Sequence, residues 1–252
     1  MKDYLPFLQN CPLFRGLSAS VVLDVLRKAD ARVECFDANS FVLRAGEKTD
    51  SIGLLVSGSA LIVQEDIWGR RNLMNKLGVG DFFGEVFALV PDAISSVSVV
   101  TTEKTRIIRV NAQRFVAICS TSGESVKLDA PNAPEEHDAS RLVRNMLTAL
   151  AIRVMHLNEK ITHMSKRKTR DKLLSYLSAE SLRQHSLSFD IPFDRQQLAD
   201  FLCVERAAMS VELSHLQQEG FLKTDRSHFE LNAARTPVDR KIETDDCHSP
   251  CC

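Results

Sequence analysis

The amino-acid sequence predicts an α+β chain in three parts: an antiparallel roll of short strands, one long one-sided helix, and a small domain of two short helices with a β-hairpin. Three patterns carry that prediction. Across residues 36–110, short apolar runs alternate with turn residues and no helical period is present. From Leu142 to Met164, apolar residues recur at steps of three and four. Across residues 194–231, a capped helix, a tight turn, a second helix and two short alternating runs follow one another.

In the first part the runs are Phe41-Val42-Leu43, residues 52–56, 60–63, 73–77, 97–100 and 107–110. Between them lie Ala45-Gly46-Glu47, Ser57-Gly58-Ser59, Trp68-Gly69-Arg70 and Gly78-Val79-Gly80-Asp81, where glycine supplies the backbone freedom that tight turns need. Strands of this length at this spacing predict an antiparallel roll or barrel. Residues 120–139 carry Pro131, Pro134, Gly123 and the pair Glu135-Glu136 with few apolar residues, so the sequence predicts a loop or hinge there.

The helical stripe that follows runs through Leu142, Met146, Leu150, Val154, Leu157, Ile161 and Met164. Such a stripe either packs back on its own roll or forms a seam with a second copy. Spacing of the coiled-coil kind favours the seam, and a homodimer is expected.

In the last part, residues 168–179 suit a helix and residues 187–191 alternate like a strand. Asp194 then caps a helix that Gln197 completes as a capping box. That helix is expected to end near Leu202, and a second to start near Arg206 and stop at Gly220, a residue at ease in the left-handed region. A hairpin turning at Asp225-Arg226-Ser227 follows. Two short helices with a hairpin behind them make a winged helix-turn-helix. Leu198, Ala199, Leu202, Met209, Leu213 and Leu216 are its expected core, and Val204 its turn plug.

Left exposed on the second helix are Glu205, Arg206, Ser210, Ser214 and His215. A guanidinium at the N-terminal end of such a face can give two hydrogen bonds to guanine O6 and N7. Phosphate contacts are expected from the first helix's N-terminus with Arg195 and Gln196, and from Lys223, Arg226 and His228 on the wing. Charge alone does not carry this: residues 166–235 hold eleven Lys or Arg against ten Asp or Glu, and the chain's net charge is −1.

Composition excludes other classes. An apolar fraction of 44% and a charged fraction of 26% over 252 residues fit a folded globular protein. No stretch approaches the ~18 consecutive apolar residues of a membrane span, and residues 1–9 have no leader pattern, so a cytoplasmic location without membrane contact is expected. Seven scattered cysteines fit reduced thiols. No Ser-His-Asp set, zinc-binding motif, Walker loop or paired carboxylates occurs, so no enzyme is expected.

Gly78-Val79-Gly80-Asp81-Phe82-Phe83-Gly84-Glu85 resembles the Gly-Asp-x-Phe-Gly-Glu turn of the cyclic-AMP receptor protein and FNR (CRP/FNR) family, and residues 195–220 resemble that family's helix-turn-helix. The order of parts also matches, from Phe14 to Leu231. The resemblance implies a double-stranded β-helix (jelly roll) like that of cyclic-nucleotide-binding domains over residues 1–125, a dimerisation helix over 138–166, a winged DNA-binding domain over 167–235 and a disordered tail over 236–252. It implies a bacterial transcription regulator: a homodimer on a double-stranded operator of two half-sites, with RNA polymerase as a further partner.

Departures from the family pattern bear on mechanism. The turn glutamate that holds ribose in cyclic-nucleotide-binding members is present as Glu85, after Gly84. The arginine that binds the cyclic phosphate is replaced: the matching stretch is Ser95-Ser96-Val97. A serine hydroxyl does not replace a bidentate cationic fork, whose charge-assisted bonds are worth roughly 1.5–3 kcal/mol each. Cyclic AMP is therefore not the expected effector. The pocket of Gly84, Glu85, Ser95 and Ser96 either serves another small molecule or is kept for its backbone geometry. With only Cys11 and Cys35 near the N-terminus, iron–sulfur sensing is not expected, and no histidine stands out as a haem ligand. Cys247, His248, Cys251 and Cys252 are read as incidental to a polar terminus, with metal binding or redox response as the alternative; no cofactor or metal is assigned. Ala207 and Val211 stand where the cyclic-AMP receptor protein has a glutamate and an arginine, so a different operator is expected.

Overall fold

The computed structural model describes residues 4–120 and 138–232. They gather into two compact units that divide between Leu157 and Asn158. The expected hinge falls mostly on residues 121–137 and the cysteine-rich tail on residues 236–252, both outside the described residues.

The first unit opens with helices α1 (Leu5–Asn10) and α2 (Ala19–Lys28), joined by a single tight turn at Pro12–Phe14. Eight strands follow: β1 (Arg32–Phe36), β2 (Phe41–Leu43), β3 (Ser51–Ser57), β4 (Ala60–Glu65), β5 (Arg71–Leu77), β6 (Phe82–Phe83), β7 (Ser98–Thr101) and β8 (Thr105–Asn111). They form two four-stranded antiparallel sheets, β1-β8-β3-β6 and β2-β7-β4-β5. Helix α3 (Glu85–Leu89) sits between β6 and β7, and α4 (Ala112–Ser120) closes the roll.

Strand β3 shows why its sequence reads as an unbroken apolar run. Ile52, Leu54 and Val56 face a core shared with α1, α2 and α4, whereas Leu55 faces the interior between the sheets with Leu43, Leu77, Phe83 and Ile107. A strand covered on both faces has no polar side to alternate with. Gly53 makes room for this packing, because a Cβ there would stand 2.3 Å from the Phe83 ring.

The long helix α5 spans Asp138–Met164. Leu142 and Met146 are buried in the first unit's own core, with Ala149 and Leu150 packed against it. Asn145 Nδ2 donates to the carbonyls of Leu13 (3.1 Å) and Arg15 (2.9 Å), and Arg141 donates to Gly16 O. This corrects the expected seam at Leu142, Met146 and half-buried Leu150, which line their own roll, whereas the other expected seam residues Val154, Leu157 and Ile161 are exposed. For Val154 the reason is angular: each step of four residues overshoots a full helical turn by about 40°, so three such steps carry it about 120° from Leu142 and off the buried face. Leu157 returns to the angle of Met146 and Leu150 but stands where the first unit ends, and Ile161 lies past that boundary. The exposed apolar side is instead marked by Leu147, Val154, Met155 and Ile161.

The second unit holds the end of α5, helices α6 (Thr169–Gln184), α7 (Arg195–Leu202) and α8 (Arg206–Gln218), and strands β9 (Ser188–Asp190), β10 (Leu222–Asp225) and β11 (His228–Leu231) in the antiparallel order β10-β11-β9. Tyr176, Phe193 and Phe201 make its aromatic centre, with ring centroids 4.8–6.2 Å apart. Helix α6 runs beyond the predicted Ala179 because Glu180 and Ser181 are buried with partners: Glu180 with Arg183 Nη1 (2.7 Å), Ser181 Oγ with Ser186 O (2.7 Å). Lys160 is buried with its ammonium 4.8 Å from the Phe201 centroid, and burial holds its pKa down to about 8.

Candidate nucleic-acid interface and effector site

Local sequence fixes both ends of the helix pair. Asp194 Oδ1 accepts from Gln197 N (2.8 Å) and Gln197 Oε1 accepts from Asp194 N (3.2 Å), the reciprocal bonds of a capping box. Helix α7 ends at Cys203 in the left-handed region, φ 52°. That conformation costs a non-glycine residue roughly 1–2 kcal/mol, which explains why glycine is the easier choice there. Lys172 Nζ reaches over to donate to the carbonyls of Leu202 (3.1 Å) and Cys203 (3.4 Å), satisfying the helix end. Leu198, Ala199, Leu202, Met209, Leu213 and Leu216 are all buried, the set the sequence singles out.

Opposite that core, α8 exposes Glu205 at its N-cap, then Arg206, Ala207, Ser210, Val211, Ser214 and His215. Ser210 Oγ donates to Arg206 O (2.9 Å) and Ser214 Oγ to Ser210 O (3.0 Å). The expected phosphate contacts divide into two groups. Lys223 is exposed, and Arg226 stands exposed at the wing tip with φ 50°. The others are engaged at home: Arg195 Nη2 donates to Thr224 Oγ1 (2.6 Å), and its guanidinium lies 5.0 Å from the Phe229 centroid. Burial lowers the Arg195 pKa, and its Nη1 is buried without a partner. Gln196 donates to Asp200 (2.8 Å), and His228 sits between Asp190 and Ser188, both at 3.2 Å.

In the first unit, Gly84 takes φ 84° at the N-cap of α3 and turns Glu85 inward, where it is 1% exposed. A Cβ at Gly84 would meet Ser51 O at 3.0 Å, so both dihedral and space call for glycine. One oxygen of Glu85 is already engaged. Arg153 of α5 donates from Nη1 to Glu85 Oε1 and from Nη2 to Phe82 O, with its guanidinium 5.0 Å from the Phe82 centroid. Glu85 Oε2 is buried with no hydrogen-bond partner. Ser95 is buried too, but its hydroxyl donates to Val97 O (2.7 Å) and its backbone joins Gly46 and Glu47, so it staples two loops. Ser96 is exposed. Of the four expected pocket residues, Glu85 and Ser95 are thus buried and already engaged within the protein. Sequence reasoning missed Arg153; the signal was a cation in the register of Leu142, Met146 and Ala149, spaced by four, three and four.

Residues 33–122 match the cyclic nucleotide-binding domain family and residues 171–234 the Crp-like helix-turn-helix domain family. The chain belongs to the CRP/FNR family of transcription regulators. Members of this family are regulators rather than enzymes. Over 112 residues the chain is 24% identical to the cAMP-activated global transcriptional regulator CRP of Pasteurella multocida (strain Pm70), a match covering 44% of this chain and 54% of that one. It thus spans about half the length of the curated relative it matches. Among solved structures, the c-di-GMP responsive global regulator CLP of Xanthomonas campestris has a TM-score of 0.63 at 19% identity, covering 86% of this chain and 100% of that one. FixK2 of Bradyrhizobium japonicum has a TM-score of 0.58 at 15% identity, covering 87% and 99%. These two likenesses establish the fold: a CRP/FNR roll, long helix and winged helix-turn-helix. Among the described residues, no helix is long and apolar enough to cross a membrane, and no group of three metal-binding side chains occurs.

Proposed function

We propose that the chain acts as a homodimeric, sequence-specific DNA regulator in the cytoplasm, with α8 in the major groove of each of two operator half-sites. RNA polymerase is the further partner this role implies. The observation that carries the proposal is the division of α8. Its buried side is filled by Met209, Leu213 and Leu216, which leaves Arg206 free at the N-terminal end of the exposed side. Lys223 and Arg226 extend that surface onto the wing and suit phosphate. The exposed apolar side of α5 at Leu147, Val154, Met155 and Ile161 supports pairing with a second copy. Gel-shift against genomic fragments tests the proposal: Arg206→Ala should weaken binding by roughly tenfold or more, the worth of a bidentate guanine contact. Unchanged affinity would remove it.

The effector, on this proposal, is not cyclic AMP. Ser95 replaces the phosphate-binding arginine, and Glu85 is already held by Arg153. The second point favours a more specific reading, in which the carboxylate turn serves as an anchor for α5 and the regulator needs no ligand there. Calorimetry with cyclic AMP should register no binding. A micromolar affinity would show that the nucleotide displaces Arg153.

A further inference from the structure

We infer that the recognition face selects its DNA partly through thymine methyl groups, with Val211 and Ala207 as the specificity-determining residues; this rests on the assignment of α8 to the major groove. At about 100° per residue, Ala207, Val211 and Ser214 form the centre line of the exposed side, opposite Met209, Leu213 and Leu216. Val211 is 54% exposed there although the core beneath it is full. The flanking hydroxyls are committed, because Ser210 and Ser214 each give their hydrogen to a carbonyl four residues back. They keep lone pairs to accept with, and donate to a base only by giving up an internal bond.

Glu205 stands at the N-cap and His215 a turn further on than Val211, so what the middle of this surface offers a base pair is one guanidinium at Arg206 and, beside it, the two apolar groups of Ala207 and Val211. On the major-groove edge, guanine offers the acceptor pair that a guanidinium matches, and thymine alone offers a methyl group. A valine pressed against cytosine would cover the N4 amino donor without replacing its water, which penalises that base. Residues four apart on a helix stand ≈ 5–6 Å from each other. Base steps along a strand are about 3.4 Å apart, so Ala207 and Val211 would meet methyl groups one to two steps apart. The half-site implied has a guanine for Arg206 and neighbouring thymines for the two apolar side chains.

The test uses the full chain. Duplexes are selected from a random pool, and each thymine of the selected half-site is replaced in turn by deoxyuridine, which removes the methyl and leaves the hydrogen-bonding groups. Affinity should fall about fourfold at each contacted position, the worth of one buried methyl-sized group. Val211→Ala should weaken the thymine duplex and leave the corresponding uracil duplex unchanged, while Val211→Thr, which keeps one methyl, should retain discrimination. Thermal unfolding of each variant checks that the fold is intact. Equal binding of thymine and uracil duplexes at every position would overturn the inference, as would a Val211→Ala loss equal on both. If Arg206→Ala still weakens binding in those cases, only the methyl reading has failed; if no duplex is enriched, the groove assignment fails and takes this inference with it.

Discussion

The two candidate sites differ in how they treat their own charges. In the roll, Glu85 is 2% exposed as a side chain, Arg153 23%, and each is the other's partner. On the winged domain, Arg206 and Val211 stand in water with a filled core behind them. A closed site spends its polar groups on the fold, so its residues answer first to stability. An open site contributes little to its own domain's stability, so its composition is free to follow a partner. The glutamate of the family turn is, in this chain, a partner of α5.

The largest effect should come from breaking the closed pair. Arg153→Ala leaves a carboxylate buried without a cation, a change that costs about 3–5 kcal/mol where both groups are well buried and less as water reaches the arginine. Urea unfolding monitored at Trp68 in the roll should show a midpoint well below the parent's, and adding Glu85→Ala should restore part of the loss. A midpoint within error of the parent would mean that solvent screens the pair and that the closed site is closed in name only.

Much of this was legible in the sequence, for reasons that also explain what was not. Continuous apolar runs marked β3 and β4, and the capping box at Asp194 and Gln197 placed the start of α7 to the residue. Strand β1 was missed because Arg32, Glu34 and Cys35 break the apolar run of a strand at the edge of its sheet, and β6 because its two phenylalanines lie inside a turn motif. Residue types told that Arg195 and His228 carry hydrogen-bonding heads. They did not tell that Thr224, Phe229, Asp190 and Ser188 would take those heads up, since partners up to 40 residues distant leave no local period.

Next in size is the pairing of chains. Val154→Glu sets a charge on the exposed apolar side of α5 and should yield a monomer by light scattering. Operator affinity should then fall by roughly 10²-fold, since two half-sites no longer bind as one unit. Leu150→Glu separates the two sides of the helix: half-buried against the roll, it should lower the urea midpoint as well. If Val154→Glu stays dimeric, the seam lies elsewhere.

A smaller loss tests how the open site is held. Asp194→Ala removes the side-chain half of the capping box and should cost about 1 kcal/mol. Circular dichroism of the winged domain in urea reads this directly. A loss several times larger would mean that the open surface supports its domain far more than its exposure implies, and the contrast between the sites would narrow.

The smallest effect concerns a buried polar group behind the open site. His163 is 5% exposed, its Nδ1 lies 2.8 Å from Ser175 Oγ, and the Tyr176 ring meets it edge-on at 5.8 Å. Burial lowers its pKa from the ordinary 6.5, against the opposite pull of Glu159 and Glu180. The unfolded chain therefore binds this proton before the folded one does. Stability from this residue is complete above pH 6.5 and is lost as pH falls below it toward the lower folded value. Urea midpoints followed by circular dichroism should drop between pH 7.5 and 5.5, and His163→Gln should flatten part of that slope. An unchanged slope would assign the titration to other groups.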